Sequence, residues 1–197
     1  MSRVYALIDR DLLQKSQISI EQVASFLQQN RIKIAQYRNK SPKNRDEILN
    51  DLEKIRELFS GDLIINDHIE FIDFVDGLHL GQEDLRGINP EPKEAVEIVR
   101  ERIGRKILGL STHNLEEILE ANSLDLDYIG LGAYRATATK EQVAVAGAKL
   151  LDYAKESKHP VAIIGGVRLD DEFGAEISMR VVGSDIIKKI RGSFEQI

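Results

Sequence analysis

Charged and amide side chains stand directly after several short apolar runs of this 197-residue chain. Arg38, Lys40 and Lys140 provide positive charge of the kind that holds phosphate oxygens. Asp67 and Asp84 provide carboxylates with amide groups close by in the chain, and Mg²⁺ prefers such oxygen ligands when it also binds phosphate. These residue types together predict a metal-assisted anionic subsite that suits a diphosphate.

Two glycine-containing turns predict a second anionic subsite. Gly165 and Gly166 follow the seventh apolar run, and Gly183 and Ser184 follow the eighth. In barrels of alternating strands and helices, loops at these two positions commonly bind a phosphate through backbone N–H groups. The second subsite therefore suits a monophosphate.

Each of these features also has a structural explanation when it is taken alone. Asp67 would serve as a helix cap, Asp84 as part of an Asx turn, and the Gly165-Gly166 pair as a tight turn. Arg38 and Lys40 would form a solvated basic loop. Polar groups nevertheless follow seven successive apolar runs, and this recurrence favours a binding rim.

The elements that must position these residues alternate along the chain. The apolar, β-branched runs are typical of parallel strands covered on both faces, and they predict eight strands, at 4–8, 32–37, 63–66, 77–80, 106–110, 128–132, 161–164 and 180–182. Amphipathic stretches between them predict helices at 20–29, 45–59, 69–74, 92–103, 115–121, 143–157 and 185–191. An open doubly wound sheet would suit five or six strands better. Eight evenly spread units of about 25 residues favour a compact (β/α)₈ TIM barrel, with residues 1–197 as one α/β domain.

Composition narrows the class of protein. A net charge of −6 argues against nucleic acid and anionic membranes as partners. The absence of cysteine excludes disulfides and cysteine nucleophiles.

The four histidines show no metal-ligand spacing, and His79, which alternates with apolar neighbours, is predicted to be packed and hydrogen-bonded. Tyr5 and Tyr37 are predicted to pack at the barrel wall. Without a signal peptide or an 18-residue apolar run, the chain is expected to be cytoplasmic, and self-association is compatible with its sequence.

The chain resembles the thiamine phosphate synthase family over nearly its whole length. Two segments carry the resemblance most specifically, 76–84, which reads DGLHLGQED, and 109–114, which reads GLSTHN. The remaining matching segments are 36–40 (QYRNK), 65–67 (IND), 127–132 (DYIGLG), 137–140 (TATK) and the glycine pair 165–166. The resemblance implies a TIM barrel that joins a hydroxymethylpyrimidine diphosphate to a thiazole phosphate and releases diphosphate.

The resemblance also implies roles for particular residues. The residues implied to contact the pyrimidine diphosphate are Gln36, Arg38, Lys40, Asn66, Ser111 and Lys140; of these, Arg38, Lys40, Ser111 and Lys140 are the expected catalytic residues. Asp67 and Asp84 would hold Mg²⁺. The residues implied to line the thiazole phosphate site are Thr137, Thr139, Gly166, Gly183 and Ser184. Their neighbours Tyr37, Asn39 and Ala138 are expected to contact substrate as well.

The thiazole side departs from the family pattern. Arg135 and Ala136 replace an aromatic residue and a proline, and Asp185 places an acid beside the expected phosphate site. One hypothesis is that Arg135 offsets Asp185 through a charge-assisted contact with phosphate; the alternative is that Arg135 points to solvent. Two other functions stay open at this point: a thiazole tautomerase-like enzyme that needs no Mg²⁺, and a non-catalytic binder of thiamine precursors.

Overall fold

The computed structural model describes residues 2–40, 45–135 and 147–194. Eight parallel strands pair in chain order, and β1 also pairs with β8, so that the sheet closes into a barrel. The strands are β1 (Arg3–Asp9), β2 (Ile34–Arg38), β3 (Asp62–Asn66), β4 (Gly77–Leu80), β5 (Ile107–Thr112), β6 (Tyr128–Leu131), β7 (Val161–Ile163) and β8 (Met179–Val182). The predicted (β/α)₈ barrel is therefore confirmed.

Helices connect the strands around the outside of the barrel. They are α1 (Arg10–Ser16), α2 (Ile20–Gln29), α3 (Arg45–Leu58), a 3₁₀ helix (Ile69–Phe74), α4 (Gln82–Ile88), α5 (Pro92–Ile103), α6 (Leu115–Ala121), α7 (Ala148–Ala154) and α8 (Ser184–Phe194). The predicted bounds of α2, α5 and α6 agree with the structure. The helix predicted at 143–157 lies partly outside the described residues. In the described part of the chain no helix is both long and apolar enough to cross a membrane.

Helices α1 and α4 are absent from the sequence-based prediction because each starts where a strand ends. Asp9, the last residue of β1, accepts a 3.0 Å hydrogen bond from the Leu12 N–H and so caps α1. Gly81 caps α4 after β4, and Asp84 lies in the first turn of that helix. Asp84 is thus placed by a helix, and the alternative of an isolated Asx turn is wrong.

The strands bury both of their faces, which explains their nearly continuous apolar runs. In β3, Leu63 and Ile65 pack outward against the helices, whereas Ile64 points into the barrel. Tyr5 and Tyr128 share that interior with Ile64. The barrel interior is therefore a packed core with two phenol groups inside it.

Gly109 on β5 leaves room for one of these phenols. It stands opposite Tyr128 in the strand register, and a Cβ atom at Gly109 would lie 2.2 Å from Cζ of Tyr128. We expect Gly109→Ala to overpack the interior and lower the free energy of unfolding by about 1–3 kcal/mol in urea denaturation. Gly87→Ala in α4 is the matched control, because a Cβ atom there meets nothing within 4 Å. Equal stability of the two variants would contradict this packing.

Candidate active site

Arg38 is held at the rim by an acidic residue of the neighbouring strand. Arg38 ends β2 and stands in register with Asp9 at the end of β1. Its Nη1 donates a hydrogen bond to Oδ2 of Asp9. Since Asp9 is largely buried and its other oxygen caps α1, the guanidinium is anchored in a fixed position. Asp9 is missing from the sequence-based set of rim residues, although it is the polar residue that follows the first apolar run.

Asp67 and Asp84 come together at the ends of β3 and β4. Asp67 adopts the left-handed conformation, with φ of 66°, and its N–H donates to the carbonyl of His79 at 2.9 Å. Its carboxylate accepts a 2.5 Å hydrogen bond from Asn66 Nδ2 and lies 3.9 Å from Lys40 Nζ. Asp84 folds back over Gly81, where a Cβ atom would lie 2.6 Å from Oδ2 of Asp84. The glycine therefore leaves space for this carboxylate beside the β4 end.

The electrostatics of the two carboxylates suit a cation. Burial raises the pKa of Asp67, the negative charge of nearby Asp84 raises it further, and Lys40 opposes the rise. Among the described residues no third acid or histidine joins the pair into a metal-ligand cluster. Mg²⁺ commonly binds through one or two carboxylates and completes its shell with water and substrate phosphate. The donor set at Asp67 and Asp84 thus fits the predicted ion.

A buried hydrogen-bonded chain runs across the barrel interior below this rim. Gln36 Nε2 donates to the Tyr5 hydroxyl at 3.2 Å, and the Tyr5 and Tyr128 hydroxyls are 2.8 Å apart. The Tyr128 hydroxyl lies 2.9 Å from Nδ1 of His79, whose Nε2 lies 2.9 Å from the Ser111 hydroxyl. All five side chains line a small cavity of about 30 Å³. These hydrogen bonds therefore fix Gln36 and Ser111, two predicted substrate contacts, at opposite ends of one network.

His79 is a packed, hydrogen-bonded histidine, as the sequence predicts. Tyr5 and Tyr128 are absent from the predicted site, because interior and outward strand positions both carry large apolar residues in this sequence. Their hydroxyl groups could have indicated a buried polar network, because a buried phenol needs a hydrogen-bond partner.

Burial lowers the pKa of His79 from 6.5 to about 4. An unfolded chain would take up a proton at this residue below about pH 6.5, whereas the folded chain would resist protonation until about pH 4. We therefore expect His79 to make the protein less stable as the pH falls from 6.5 to 4, by about 3 kcal/mol in total. Urea denaturation at several pH values should show a shallower decline for His79→Gln than for the wild type. Replacement of exposed His113 by Gln is the control, and equal slopes for all three proteins would contradict the assignment.

Tyr37 and Asn39 do not face the site, which corrects the expectation that they contact substrate. Alternate residues of a strand point to opposite faces, so Tyr37 turns outward between Gln36 and Arg38. It is fully buried against α3, and its hydroxyl donates to Oδ2 of Asp51 at 2.7 Å. Asn39 is buried beside the Tyr37 hydroxyl, at 3.4 Å. The prediction that Tyr37 packs at the barrel wall is confirmed.

The two glycine turns of the predicted thiazole phosphate site lie at the ends of β7 and β8. Gly165 and Gly166 have φ values of 97° and 63°, a conformation that favours glycine. Gly183 and Ser184 connect β8 directly to α8. Some predicted site residues lie outside the described part of the chain. They are Ala136, Thr137, Ala138 and Thr139 of the thiazole side, and the predicted diphosphate ligand Lys140.

Arg135 makes a contact that neither hypothesis about it includes. Its guanidinium forks onto Asp171 at 2.5 and 2.9 Å and donates to the Gly166 carbonyl at 3.0 Å. Asp185, the acid whose charge Arg135 is expected to offset, accepts a 3.0 Å hydrogen bond from the Leu169 N–H. Arg135 and Asp185 therefore each have a different partner within the protein, and Arg135 does not simply point to solvent.

The structure is an eight-stranded parallel barrel with cations, paired carboxylates and glycine turns at the ends of its strands. This combination is typical of (β/α)₈-barrel enzymes that bind phosphorylated small molecules. Residues 4–173 match the family model described as thiamine monophosphate synthase. This chain therefore belongs to the thiamine monophosphate synthase family. The predicted class of activity, a thiamine phosphate synthase-like transferase of thiamine biosynthesis, is confirmed with it.

Individual relatives cover most of the chain. A thiamine-phosphate synthase from Persephonella marina is 38% identical over 172 residues, which cover 83% of this chain and 76% of that protein. A thiamine-phosphate synthase from Clostridium botulinum is 33% identical over 193 residues, 93% of this chain and 85% of the relative. Among solved structures, thiamine phosphate pyrophosphorylase from Pyrococcus furiosus superposes with a TM-score of 0.73 at 24% identity, covering 97% of this chain and 96% of that one. That superposition supports the fold.

Proposed function

We propose that this chain couples a hydroxymethylpyrimidine diphosphate to a thiazole phosphate, releases diphosphate, and requires Mg²⁺. The observation that carries the proposal is the convergence of Arg38, Lys40, Asp67 and Asp84 at one rim of the barrel. A diphosphate that leaves a carbon atom needs its developing negative charge stabilised, and fixed cations at a partly buried site do this effectively. The substrates are therefore small phosphorylated molecules.

The reaction needs no general base. The thiazole nitrogen donates its electron pair to the methylene carbon of the pyrimidine as the carbon–oxygen bond to diphosphate breaks. The nitrogen becomes positively charged, diphosphate takes the bonding electrons, and no proton has to move. A neutral, buried His79 is compatible with this chemistry, because its role is to hold Ser111 and Tyr128 in place.

Different side chains would bind each of the two substrates, and Lys140 is included among them from the sequence alone. Arg38, fixed by Asp9, and Lys40 would bind the leaving diphosphate, and Lys140 would add a third cation. Gln36 and Ser111 would orient the pyrimidine ring, and Asn66 would keep Asp67 in place through its 2.5 Å hydrogen bond. Asp67 and Asp84 would hold Mg²⁺, which when bound would neutralise part of the diphosphate charge. The turns at Gly166 and at Gly183 and Ser184 would bind the thiazole phosphate, so that its nitrogen is oriented toward the carbon.

The experiment is a coupling assay with both substrates and Mg²⁺ that measures diphosphate and thiamine phosphate together. We expect equal amounts of both products, and no diphosphate when the thiazole phosphate is left out. Isomerisation of the thiazole phosphate without Mg²⁺ would instead indicate the tautomerase-like function. Binding of either substrate in calorimetry without turnover would indicate a binding protein. From the sequence we also propose a cytoplasmic location, and the sequence is compatible with self-association.

A further inference from the structure

Arg135 and Asp171 form an ion pair between the loop after β6 and the loop after β7. The guanidinium makes two hydrogen bonds to the two carboxylate oxygens, at 2.5 and 2.9 Å. It also lies over the ring of Tyr134, 4.7 Å from the centroid, and that ring meets Phe173 edge to face at 5.3 Å. Such a fork fixes both distance and orientation, which a single ion contact does not.

The pair holds the backbone around the Gly165-Gly166 turn. Arg135 donates to the Gly166 carbonyl at 3.0 Å, and its own N–H donates to the Gly165 carbonyl at 2.9 Å. On the other side of the pair, Asp171 accepts a 2.8 Å hydrogen bond from the Arg168 N–H. Both glycine carbonyls are therefore turned toward Arg135, and the loop that follows them is tied to the same pair.

A second acid, at the start of α8, also holds this loop. Asp185, in the first turn of α8, accepts a hydrogen bond from the Leu169 N–H at 3.0 Å. The β7 loop is thus anchored at Asp171 from one side and at Asp185 from the other. This arrangement links the Gly165-Gly166 turn to the start of α8, where Gly183 and Ser184 lie.

The charge of Arg135 is already balanced. Its carboxylate partner is mostly buried, with a side chain 15% exposed, and the Arg135 hydrogen bond holds the pKa of Asp171 below its ordinary value. Three of the five N–H donors of this guanidinium are used within the protein, two on Asp171 and one on the Gly166 carbonyl. The contacts of Arg135 are those of a residue that stabilises the Gly165-Gly166 turn.

We propose that Arg135 and Asp171 are positioning residues for the second substrate: they fix the Gly165-Gly166 turn so that its backbone N–H groups are presented to the phosphate of the thiazole. This inference rests on the proposed function, because it assumes that this turn is the phosphate subsite. Arg135, which departs from the family pattern, would in this way raise the affinity for thiazole phosphate. Neither side chain touches the phosphate.

The test is steady-state kinetics of Arg135→Ala and Asp171→Asn with each substrate varied in turn. We expect the KM for thiazole phosphate to rise about tenfold in both variants, with kcat and the KM for the pyrimidine diphosphate little changed, since ground-state binding of one substrate is lost. Asparagine at 171 keeps an acceptor for the Arg168 N–H and removes the charge. The double variant should be no worse than the more impaired single variant, because the two residues act as a unit. Arg135→Lys should recover part of the affinity.

Arg102→Ala is the matched control. Arg102 makes a similar fork onto Asp73, at 2.8 and 3.4 Å, but between α5 and the 3₁₀ helix on the outer surface. We expect this variant to leave both KM values unchanged. A wild-type protein without coupling activity would overturn the proposed function itself. Normal coupling with an unchanged KM for thiazole phosphate in Arg135→Ala, or equal increases in both KM values, would overturn the positioning role alone.

Discussion

Asp67→Asn is expected to lower the Mg²⁺-dependent rate of diphosphate release by at least about 10²-fold. Loss of a carboxylate that holds a catalytic cation removes several kcal/mol of charge stabilisation at the leaving group, and each 1.36 kcal/mol corresponds to a factor of ten in rate. The rate should be measured across a range of Mg²⁺ concentrations. Asp84→Asn is expected to act in the same direction. Wild-type rates for both variants at limiting Mg²⁺ would show that these carboxylates do not hold the metal.

The same substitution should leave the metal-free fold intact. The pKa of Asp67 is raised in the folded state, so this group favours folding at low pH and loses that advantage as the pH rises through its folded pKa. At neutral pH this carboxyl group, partly buried next to Asp84, therefore contributes less stability than it does at low pH. Asparagine removes the charge and also tolerates the left-handed conformation at this position. We expect a Tm equal to or above that of the wild type without Mg²⁺, and a smaller gain in Tm when Mg²⁺ is added. A large loss of Tm would mean that the effect on rate arises from misfolding.

Arg38→Ala is expected to reduce kcat/KM for the pyrimidine diphosphate by about 10²–10³-fold, the usual effect of losing one preorganised group that stabilises a developing anion. The substitution also leaves the Asp9 carboxylate unpaired at the rim, where it would repel a diphosphate. The kinetic measurement should be made with thiazole phosphate saturating. KM for thiazole phosphate should change little.

The double variant Asp9→Asn, Arg38→Ala separates the two effects. Asparagine at position 9 can still cap α1, so the helix is retained. We expect the double variant to be more active than Arg38→Ala alone, because the repelling charge is gone. If the single Arg38→Ala variant kept at least half of the wild-type kcat/KM, the placement of the diphosphate at this rim would be wrong.

The barrel could be predicted from the sequence because strands that are buried on both faces have nearly continuous apolar runs. Runs such as 161–164 are apolar at every position, and the residues that follow these runs meet at one edge of the sheet. Helix bounds were predictable where a cap stood apart from the strand, as at Asn114 before α6. They were not predictable for α1 and α4, whose capping residues directly follow or end a strand.

The candidate site was predictable at Arg38, Asp67 and Asp84, which are polar residues after apolar runs. The prediction that Tyr37 contacts substrate is wrong. It assigned the whole segment 36–40 to the rim, although residues of a strand alternate between its two faces. The partners of Arg38 and Arg135 could not be predicted. Asp9 lies 29 residues from Arg38, and Asp171 lies 36 residues from Arg135. Only the closed barrel brings these residues together, since neighbouring strand ends converge there whatever their separation along the chain.

The most direct test of the central claim is anomalous diffraction from crystals grown with Mn²⁺ in place of Mg²⁺ and with the pyrimidine diphosphate bound. Mn²⁺ takes similar oxygen ligands and has a measurable anomalous signal. We expect one Mn²⁺ peak in contact with the Asp67 and Asp84 carboxylates, and diphosphate oxygens between that peak and the Arg38 guanidinium. A bound diphosphate away from Arg38, or an occupied substrate site whose metal peak touches neither carboxylate, would contradict the account.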